Sequence, residues 1–400
     1  MLKRETYLAG LEIGTAKVCA AIGAVTPTGG LQLLSVCSYP STGVRKGEIV
    51  DLARATREIR EAVGLAEEKA GTEISSVYLG VTGGHIFGDT KRGLRPIASS
   101  DRAISPEDVM AALSHAKQDN LPGDHWILHH VRQDFIVDDQ QEVKDPVGLL
   151  GNRLEARVHV ITGHGLRIGN SIRALTDTQI GIDEIVFNGF ASAMTTLSRA
   201  QKEAGALVID LGAGTTEYAL YYRDILRHSG VLAVGGDHVT NDIALGLRIG
   251  ATLAETLKIE HGGAFVDERC RGGRIEVPSE TGTPAVYSLE HLRRIQQARL
   301  EETFELIAHG LGQLLHWARG GVYLVGGGAR TSGIVTLAQR VFQLPVYLGR
   351  TQDFSGSSAD LEQPEYSCVL GLLRYGALRL RQKPRGIAWV KNLFQDAFSR

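Results

Sequence analysis

The sequence has little of what marks a secreted or disulfide-stapled chain. Its four cysteines, Cys19, Cys37, Cys270 and Cys368, form no C-x-x-C pair and have no regular spacing. This scarcity excludes a disulfide framework and favours reduced thiols in a cytosolic protein. With a formal net charge of −2 and 22% charged residues, the chain also lacks the basic excess that would indicate nucleic acid as a partner.

Long apolar runs are missing as well. The N-terminus carries no hydrophobic segment of the kind found in signal peptides, and no run is long and apolar enough to span a bilayer. We therefore expect any membrane association to be peripheral.

Glycine is the residue in excess. The 48 glycines exceed average usage and fall at strand ends and turns, which suits a turn-rich α/β chain. A length of 400 residues implies two or more domains with an ample core.

The chain is organised around residues 205–220. A buried apolar strand over 206–209 delivers the carboxylate of Asp210, and a second strand leaves over 218–222. The turn between them contributes glycines and hydroxyls: Gly212, Ala213, Gly214, Thr215 and Thr216. Backbone amides in such a turn cradle phosphate oxygens, and the carboxylate is placed to hold a hydrated Mg²⁺. An ordinary buried hairpin with an Asp-x-Gly turn is the alternative.

The same pattern occurs near the N-terminus. Within 8–25, Glu12 takes the place of Asp210, and Gly14 and Thr15 form the turn. Lys17 offers a compact positive charge to the β- and γ-phosphate oxygens, unless it is only a solvated lysine at a strand end. The repetition predicts two related half-domains that grip a nucleotide from both sides.

A third glycine cluster follows a buried strand over 322–325. Gly326, Gly327 and Gly328 leave bare backbone against which an adenine and a ribose can lie. Two phosphate hairpins followed by a Gly-Gly-Gly-Ala turn resemble the actin-like ATPases. The resemblance implies an α/β, actin-like ATPase fold, in which two related α/β domains surround a cleft for ATP and Mg²⁺.

The actin-like resemblance assigns further residues. The strand and helix start at 181–193 would cross between the two large domains and carry the group that orients the attacking water, Glu184 by register, with Asn188 as runner-up. Gly236 lies in a glycine turn that opens a helix near the nucleotide in relatives. Glu255 and Lys258, three apart on one helical face, would touch the ribose and adenine, or else form a surface ion pair.

Longer motifs resemble one group of actin-like proteins in particular. They lie at 10–18, 46–51, 74–79 followed by 84–86, 146–149 and 157–162. They resemble the FtsA family, whose members tether the bacterial division ring to the membrane, and the likeness covers nearly the whole chain. The resemblance implies an ATP-binding, self-associating scaffold that links FtsZ filaments to the cytoplasmic face of the cell membrane at the division site. ATP hydrolysis would be slow at most and would serve as a conformational switch.

The resemblance also divides the chain. Residues 1–83, 163–203 and 358–378 would form domain 1A, 84–162 an inserted αβ subdomain 1C, 204–235 with 310–357 domain 2A, and 236–309 subdomain 2B. In the insertion we expect a helix capped by Ser105 that runs to about Lys117, and strands over 126–135 and 154–161. Its family role is contact with neighbouring subunits and with other division proteins. No Asp or Glu accompanies its histidines at the sequence spacing of metal ligands. We therefore expect no metal site at His125, His129, His130 or His159.

A long helical pattern over 289–317 would hold the FtsZ-binding surface. Arg299 and Glu302 match by position the residues that bind the C-terminal tail peptide of FtsZ in the family. A merely solvated charged face is the alternative.

The tail has the composition of a membrane anchor. A short basic linker is predicted over 379–386, followed by an amphipathic helix over 387–400. Its apolar arc and the border of that arc consist of Ile387, Trp389, Val390, Lys391, Leu393, Phe394 and Phe398. Apolar burial and cations near an anionic membrane surface make a reversible anchor, which a row of subunits would strengthen by avidity. Docking on the protein's own surface is the alternative, and the linker is shorter than is common in the family.

Two other functions stay open on the sequence alone. A PilM-like pilus assembly ATPase shares the fold and the insertion but is not expected to end in an amphipathic helix. A small-molecule kinase of the same fold needs a carboxylate base beside a polar sugar pocket, and the sequence offers no such constellation.

Overall fold

The computed structural model describes residues 6–26, 28–117, 123–278, 284–356 and 358–382. The strands of its first sheet are β1 (Thr6–Ile13), β2 (Lys17–Val25), β3 (Leu31–Pro40), β6 (Ser76–Val81), β11 (Gly181–Phe187) and β19 (Phe354–Ser355). They lie in the order β11-β6-β1-β2-β3-β19. β1, β2 and β3 form an antiparallel meander, and β6 and β11 continue the sheet in parallel from β1.

The second sheet repeats this plan. Its strands are β12 (Ala206–Leu211), β13 (Thr216–Tyr222), β14 (Ile225–Leu232), β17 (Val322–Val325) and β18 (Val346–Leu348). β12, β13 and β14 form the meander, and β17 and β18 continue in parallel from β12. The prediction of two related α/β halves is therefore confirmed at the level of sheet topology.

A third sheet belongs to the insertion. It consists of β7 (Ile86–Pro96), β8 (His125–Val137), β9 (Gln140–Val143) and β10 (Arg153–His164), in the order β7-β10-β8-β9. The helix α2 (Pro106–Lys117) packs on β7 and β10. The Ser105 Oγ accepts the Asp108 N–H at 3.2 Å, so the predicted N-cap is present and satisfies a backbone donor that the first helical turn leaves free.

The remaining elements connect and cover these sheets. The helices are α1 (Leu52–Ala70), α3 (Gly165–Thr176), α4 (Asn188–Thr196), α5 (Arg199–Ala204), α6 (Gly236–Leu247), α7 (Ala251–His261), α8 (Leu289–Leu311), α9 (Ile334–Phe342), α10 (Ser358–Leu361) and α11 (Ser367–Gln382). Short 3₁₀ turns occupy Glu268–Cys270, Gly312–Trp317, Gly327–Arg330 and Pro364–Tyr366. Two small hairpins pair β4 (Val44–Arg45) with β5 (Glu48–Ile49) and β15 (Arg274–Val277) with β16 (Ala285–Ser288).

The helices α4 and α11 cross between the two halves. α11 packs on β1, β2 and β6, and α4 packs on β12 and β13. Both helices carry small residues where they meet, and a Cβ added to Gly371 would overlap the Ala191 carbonyl group and lie 3.1 Å from its Cα. The close approach of these two backbones fixes how the halves sit around the cleft.

The basic linker predicted over 379–386 does not begin at Arg379. Residues up to Gln382 continue α11, because no helix-breaking residue occurs before Pro384. Arg379 Nε donates to Glu184 Oε1 at 2.8 Å, and Arg381 donates to the Gly29 carbonyl oxygen. The predicted amphipathic helix over 387–400 lies outside the described residues.

The crossing of α4 and α11 allows a matched test with two helical glycines. We expect Gly371→Ala to lower the free energy of unfolding by at least about 2 kcal/mol, since the new methyl group has no room beside Ala191. Gly64→Ala in α1 meets nothing within 4 Å and should instead stabilise the chain by about 0.5–1 kcal/mol through helix propensity. Urea unfolding of both variants measures the difference, and equal effects of the two substitutions would contradict the packing described.

Candidate functional site

The two predicted phosphate turns have the same backbone geometry. In the first, the Gly14 N–H donates to the Lys17 carbonyl oxygen at 3.0 Å, and in the second the Gly212 N–H donates to the Thr215 carbonyl oxygen at 3.0 Å. A Cβ on either glycine would lie 2.7 Å from that same carbonyl oxygen. Both turns therefore exclude any residue with a side chain at the first position, which explains the repeated glycine.

The two turns meet. A Cβ added to Gly214 would overlap the Thr15 hydroxyl oxygen, so the second turn touches the first with bare backbone. The contact joins the C-terminal half of the chain to the N-terminal half at the predicted phosphate positions. Local glycine patterns far apart in sequence are thus brought into one cleft.

Three carboxylates lie behind these turns. Asp210 is 8% exposed and accepts the Ser192 hydroxyl at 2.5 Å, and Glu217 is 4% exposed and faces it across the β12–β13 pair. The Oε2 of Glu12 is buried without a hydrogen-bond partner. Carboxylates in this arrangement repel one another and lack full solvation.

Burial changes the titration of all three groups. It raises the pKa of Glu12 to about 8, and the Asp210 charge adds to the effect. Burial, followed by the Asp210 charge, raises the pKa of Glu217 to about 7. The pKa of Asp210 is also raised by burial, although the Ser192 hydrogen bond and the Lys17 charge oppose the shift. The cluster therefore holds less negative charge at neutral pH than its composition suggests, and a bound cation would favour the ionised forms.

Glu217 was not predicted from the sequence. Thr215 Oγ1 donates to Glu217 Oε1 at 2.7 Å, and Thr82 donates to the same oxygen. Thr216 Oγ1 donates to the Val234 carbonyl oxygen at 2.8 Å, so both hydroxyls predicted to face a phosphate are used within the protein. A glutamate inside an otherwise buried strand is the signal that would have revealed Glu217.

The third glycine cluster lies against Asp210. A Cβ on Gly326 would overlap Asp210 Oδ1 and lie 2.7 Å from the Leu211 amide nitrogen, and one on Gly328 would lie 2.8 Å from Leu211 Cβ. Gly326 also has φ of 82°, which favours glycine. At Gly327 a Cβ would meet nothing within 4 Å, so this residue borders open space where a ligand can lie.

The predicted residues of α6 and α7 join the second turn. The Gly236 N–H donates to the Gly212 carbonyl oxygen at 3.0 Å, and Lys258 Nζ donates to the Gly236 carbonyl oxygen at 3.1 Å. Lys258 also pairs with Glu255 Oε2 at 2.6 Å and donates to Thr240 Oγ1 at 2.8 Å. The pair is thus part of the cleft wall rather than an isolated surface ion pair. Thr240 was missed by the sequence analysis.

Lys17 stands between the carboxylates and an aromatic ring. Its Nζ lies 4.7 Å from the centre of the Tyr366 ring, and its charge partly opposes the rise that burial causes in the pKa of Glu12 and of Asp210. A ring face and nearby carboxylates hold the ammonium without a single fixed ion-pair partner. The ammonium is therefore placed to approach phosphate oxygens, as its position in the sequence indicates.

Glu184 is engaged by another residue, and its water-positioning role stays a prediction. It pairs with Arg379 of α11 and lies opposite Tyr78 in the β11–β6 register, whereas Glu12 lies opposite Gly80. The runner-up Asn188 is closer to the cleft. Its side chain is 3% exposed, its Oδ1 has no partner, and a Cβ on Gly80 would lie 2.6 Å from that oxygen.

Arg299 and Glu302 lie on α8, outside this cluster. Arg299 Nε and Nη2 donate to the two oxygens of Asp242 in α6 at 2.6 and 3.2 Å, and Nη1 donates to Glu302. The guanidinium is partly exposed and joins the two helices. The predicted membrane residues Ile387, Trp389, Val390, Lys391, Leu393, Phe394 and Phe398 lie outside the described residues.

A cation would meet the carboxylates through water. In the part of the chain that the structure describes, no three His, Cys, Asp or Glu side chains converge closely enough to bind a metal directly. The unpartnered oxygens of Glu12 and Asn188 are nevertheless buried acceptors that hydrated Mg²⁺ would satisfy. The same described ranges contain no helix suited in length and apolarity to crossing a bilayer.

Sequence comparisons agree with the geometry. The family model described as cell division protein FtsA matches residues 207–371, and that of the SHS2 domain inserted in FtsA matches residues 83–162. The chain is 35% identical to the cell division protein FtsA of Escherichia coli K12 over 378 residues, covering 92% of this chain and 89% of that protein. It is 34% identical to the cell division protein FtsA of Neisseria meningitidis over 419 residues, covering 98% of this chain and 100% of that protein.

Solved structures show the same fold at lower identity. A chain of the PilM–PilN type IV pilus biogenesis complex superposes with a TM-score of 0.68 at 18% identity, covering 92% of this chain and 98% of that one. MreB5 of Spiroplasma citri bound to ADP superposes with a TM-score of 0.54 at 16% identity, covering 94% and 99%. The actin-like ATPase fold is therefore confirmed.

Proposed function

We propose that this chain, which belongs to the FtsA family of cell division proteins, binds MgATP between its two halves, self-associates, and links FtsZ filaments to the cytoplasmic membrane. The observation that carries the nucleotide site is the contact of Gly214 with Thr15, which places two phosphate turns face to face. The cell division role rests on the family. The nucleotide, the partners and the membrane are proposed.

Each part of the nucleotide is proposed to bind to a different part of the cleft. The two turns would surround the phosphates with the backbone of Thr15, Ala213 and Gly214, while the amides of Gly14 and Gly212 close the turns. Lys17 would neutralise the β- and γ-oxygens. The open backbone at 326–328 suits a flat adenine, and Lys258 with Glu255 suits the ribose hydroxyls. The turn hydrogen bonds of Gly14 and Gly212 and the three hydrogen bonds of Lys258 fix these parts of the cleft, so little reorganisation of them is needed on binding.

Glu12 and Asp210 would hold Mg²⁺ through its water shell, with Glu217 as an additional carboxylate. Bound Mg²⁺ would neutralise phosphate charge and offset the repulsion among the three acids. In its absence, Lys17 and protonation limit that repulsion. We infer that metal and nucleotide bind together, because each supplies the charge that the other lacks.

ATP turnover is proposed to be slow at most and to act as a conformational switch. Glu184 is engaged with Arg379, so the described residues offer Asn188 and Glu217 rather than Glu184 near the cleft. Closure of the halves would pivot where α4 crosses α11, since these helices connect the two large sheets. Such a switch suits a scaffold better than it suits a small-molecule kinase.

Self-association and contact with other division proteins are assigned to the insertion. Its surface exposes several large apolar side chains, among them Leu94 at 50%, Met110 at 68% and Leu150 at 70%. Scattered apolar side chains on one subdomain favour protein contacts over solvent. A homopolymer would align many tails along one membrane, and avidity would then strengthen a weak anchor.

The PilM-like alternative shares this fold, as the superposition shows. It differs in the expected tail, because the amphipathic pattern of 387–400 has no role in a pilus assembly ATPase. Lipid binding therefore separates the two functions.

The metal role of Asp210 is tested by removing one charge. We expect Asp210→Asn to weaken MgATP binding by more than about tenfold, because a neutral amide cannot hold the hydrated cation as the carboxylate does. Asp139→Asn, at an exposed turn, should leave affinity unchanged. Calorimetric titration measures both, with the unfolding midpoint as a check on the fold. Unchanged affinity in Asp210→Asn would refute the assigned metal role.

The membrane role is tested by adding one negative charge to the apolar side or to the polar side of the predicted amphipathic helix. Phe394→Asp should reduce co-sedimentation with anionic liposomes by about tenfold or more, because it removes a large apolar side chain and adds repulsion. Gln395→Glu adds the same charge on the polar side and should reduce it far less. A chain that ends at Gln382 should not sediment with liposomes. If all of these altered chains sediment with liposomes to the same extent as the intact protein does, the PilM-like alternative is favoured.

The partner surface is tested at Arg299. We expect Arg299→Gln to weaken binding of the FtsZ C-terminal tail peptide by about tenfold, the effect of losing one charge-assisted contact. Arg319→Gln removes an equal charge beyond the end of α8 and should have no effect. Fluorescence anisotropy of a labelled peptide gives both affinities. Equal peptide affinities of the two variants would refute the proposed FtsZ-binding surface on α8.

A further inference from the structure

A small hairpin lies beside the phosphate turns and has no role in the contacts assigned so far. β4 and β5 pair Val44 with Ile49 and Arg45 with Glu48. Lys46 and Gly47 connect them with φ of 52° and 75°, which is the left-handed pair of a type I′ turn. Glycine adopts this conformation freely and lysine only rarely. The hairpin therefore presents a lysine in a conformation that its side chain does not favour.

The tip of this hairpin sits where the two phosphate turns meet. The Gly47 N–H donates to Thr15 Oγ1 at 2.9 Å. A Cβ added to Gly214 would lie 2.8 Å from Lys46 Cα and 2.9 Å from its nitrogen. The backbone of Lys46 and Gly47 is thus in direct contact with both halves of the proposed nucleotide site.

The same tip also touches the wall that holds the third carboxylate. A Cβ on Gly47 would lie 2.7 Å from Thr82 Cγ2, and Thr82 donates to Glu217. Because the Thr15 oxygen accepts the Gly47 N–H, its own proton must point to another acceptor. Gly47 thereby orients the Thr15 hydroxyl as a donor, which is the orientation that an anion in the cleft requires.

The charge of Lys46 is available to a ligand. Its side chain is exposed, and within the described ranges it forms no ion pair or hydrogen bond, whereas Lys17 and Lys258 are both held by neighbours. Burial lowers the pKa of His238 in α6, and the positive charge of Lys46 adds to this effect. A strongly hydrated ammonium at this point complements the most negative end of a nucleoside triphosphate.

We propose that Lys46 binds the terminal phosphate of ATP and makes this chain prefer ATP to ADP. The inference rests on the proposed nucleotide site, in which the two turns surround the phosphates and Lys17 neutralises the β- and γ-oxygens from one side. In this proposal the γ-phosphate would reach from those turns to the hairpin tip, and the shorter phosphate chain of ADP would not. Lys46 is in this sense a specificity-determining residue, and the hairpin backbone sets its position.

The test compares ATP and ADP affinity in the full-length chain with Mg²⁺. Lys46→Asn removes the ammonium and keeps a residue that tolerates the left-handed turn, so the hairpin should be preserved. We expect ATP affinity to fall by about tenfold and ADP affinity by less than about twofold, and Lys46→Arg to keep the preference for ATP. Lys69→Gln is the charge control, since it lies near the far end of α1, about 28 Å along the helix from the hairpin side.

The outcomes separate this inference from the proposed function. A wild-type chain that binds neither nucleotide would refute both the proposed nucleotide site and the role of Lys46. A wild-type chain that binds both nucleotides, with Lys46→Asn retaining the wild-type ratio of ATP to ADP affinity, would overturn only the role of Lys46. An equal loss for ATP and ADP in Lys46→Asn would show a general charge effect and would also overturn it. An unchanged unfolding midpoint in Lys46→Asn, together with a selective loss of ATP affinity, supports it.

Discussion

Repulsion among buried carboxylates is the constraint on which the cleft depends. Glu12 comes from one half of the chain and Asp210 and Glu217 from the other, and burial raises the pKa of Glu12 to about 8 and that of Glu217 to about 7. Desolvated acids at this spacing are unfavourable for the empty fold. In the proposed complex a cation would offset the repulsion among the acids, and a phosphate chain would in turn balance the charge of that cation. The site is thus costly in the free chain and suited to a charged ligand.

The rest of the fold serves to hold those acids in place. Two sheets of the same topology each present a strand that ends in an acid and a glycine turn, and α4 and α11 set the angle between the sheets. The contacts at Gly214 and Gly371 are made by bare backbone, so both the cleft and its pivot depend on residues without side chains. This explains why glycine is abundant at turns and at one helix crossing rather than in linkers.

The sequence predicted the features that are local. The two turns, the glycine cluster at 326–328 and the Ser105 cap each depend on residues within a few positions of one another. The structure shows each of these three features. Glu217, Thr82 and Thr240 were missed, because their partners come from other strands and helices. The pairing of Glu184 with Arg379 was missed for the same reason, since the two residues are 195 positions apart; the water-positioning role of Glu184 stays a prediction. The hairpin tip at Lys46 was seen as a family motif, but its contact with Gly214 could not be read from the sequence.

We propose that acids from both halves hold one metal ion only when a nucleotide is present. Electron paramagnetic resonance of the full-length chain with Mn²⁺ in place of Mg²⁺ tests it directly, because free and bound Mn²⁺ give different signals. We expect a single bound Mn²⁺ per chain when ATP is added and little bound Mn²⁺ without ATP at the same total metal concentration. Mn²⁺ binding that does not depend on ATP, or no binding in either condition, would contradict the account.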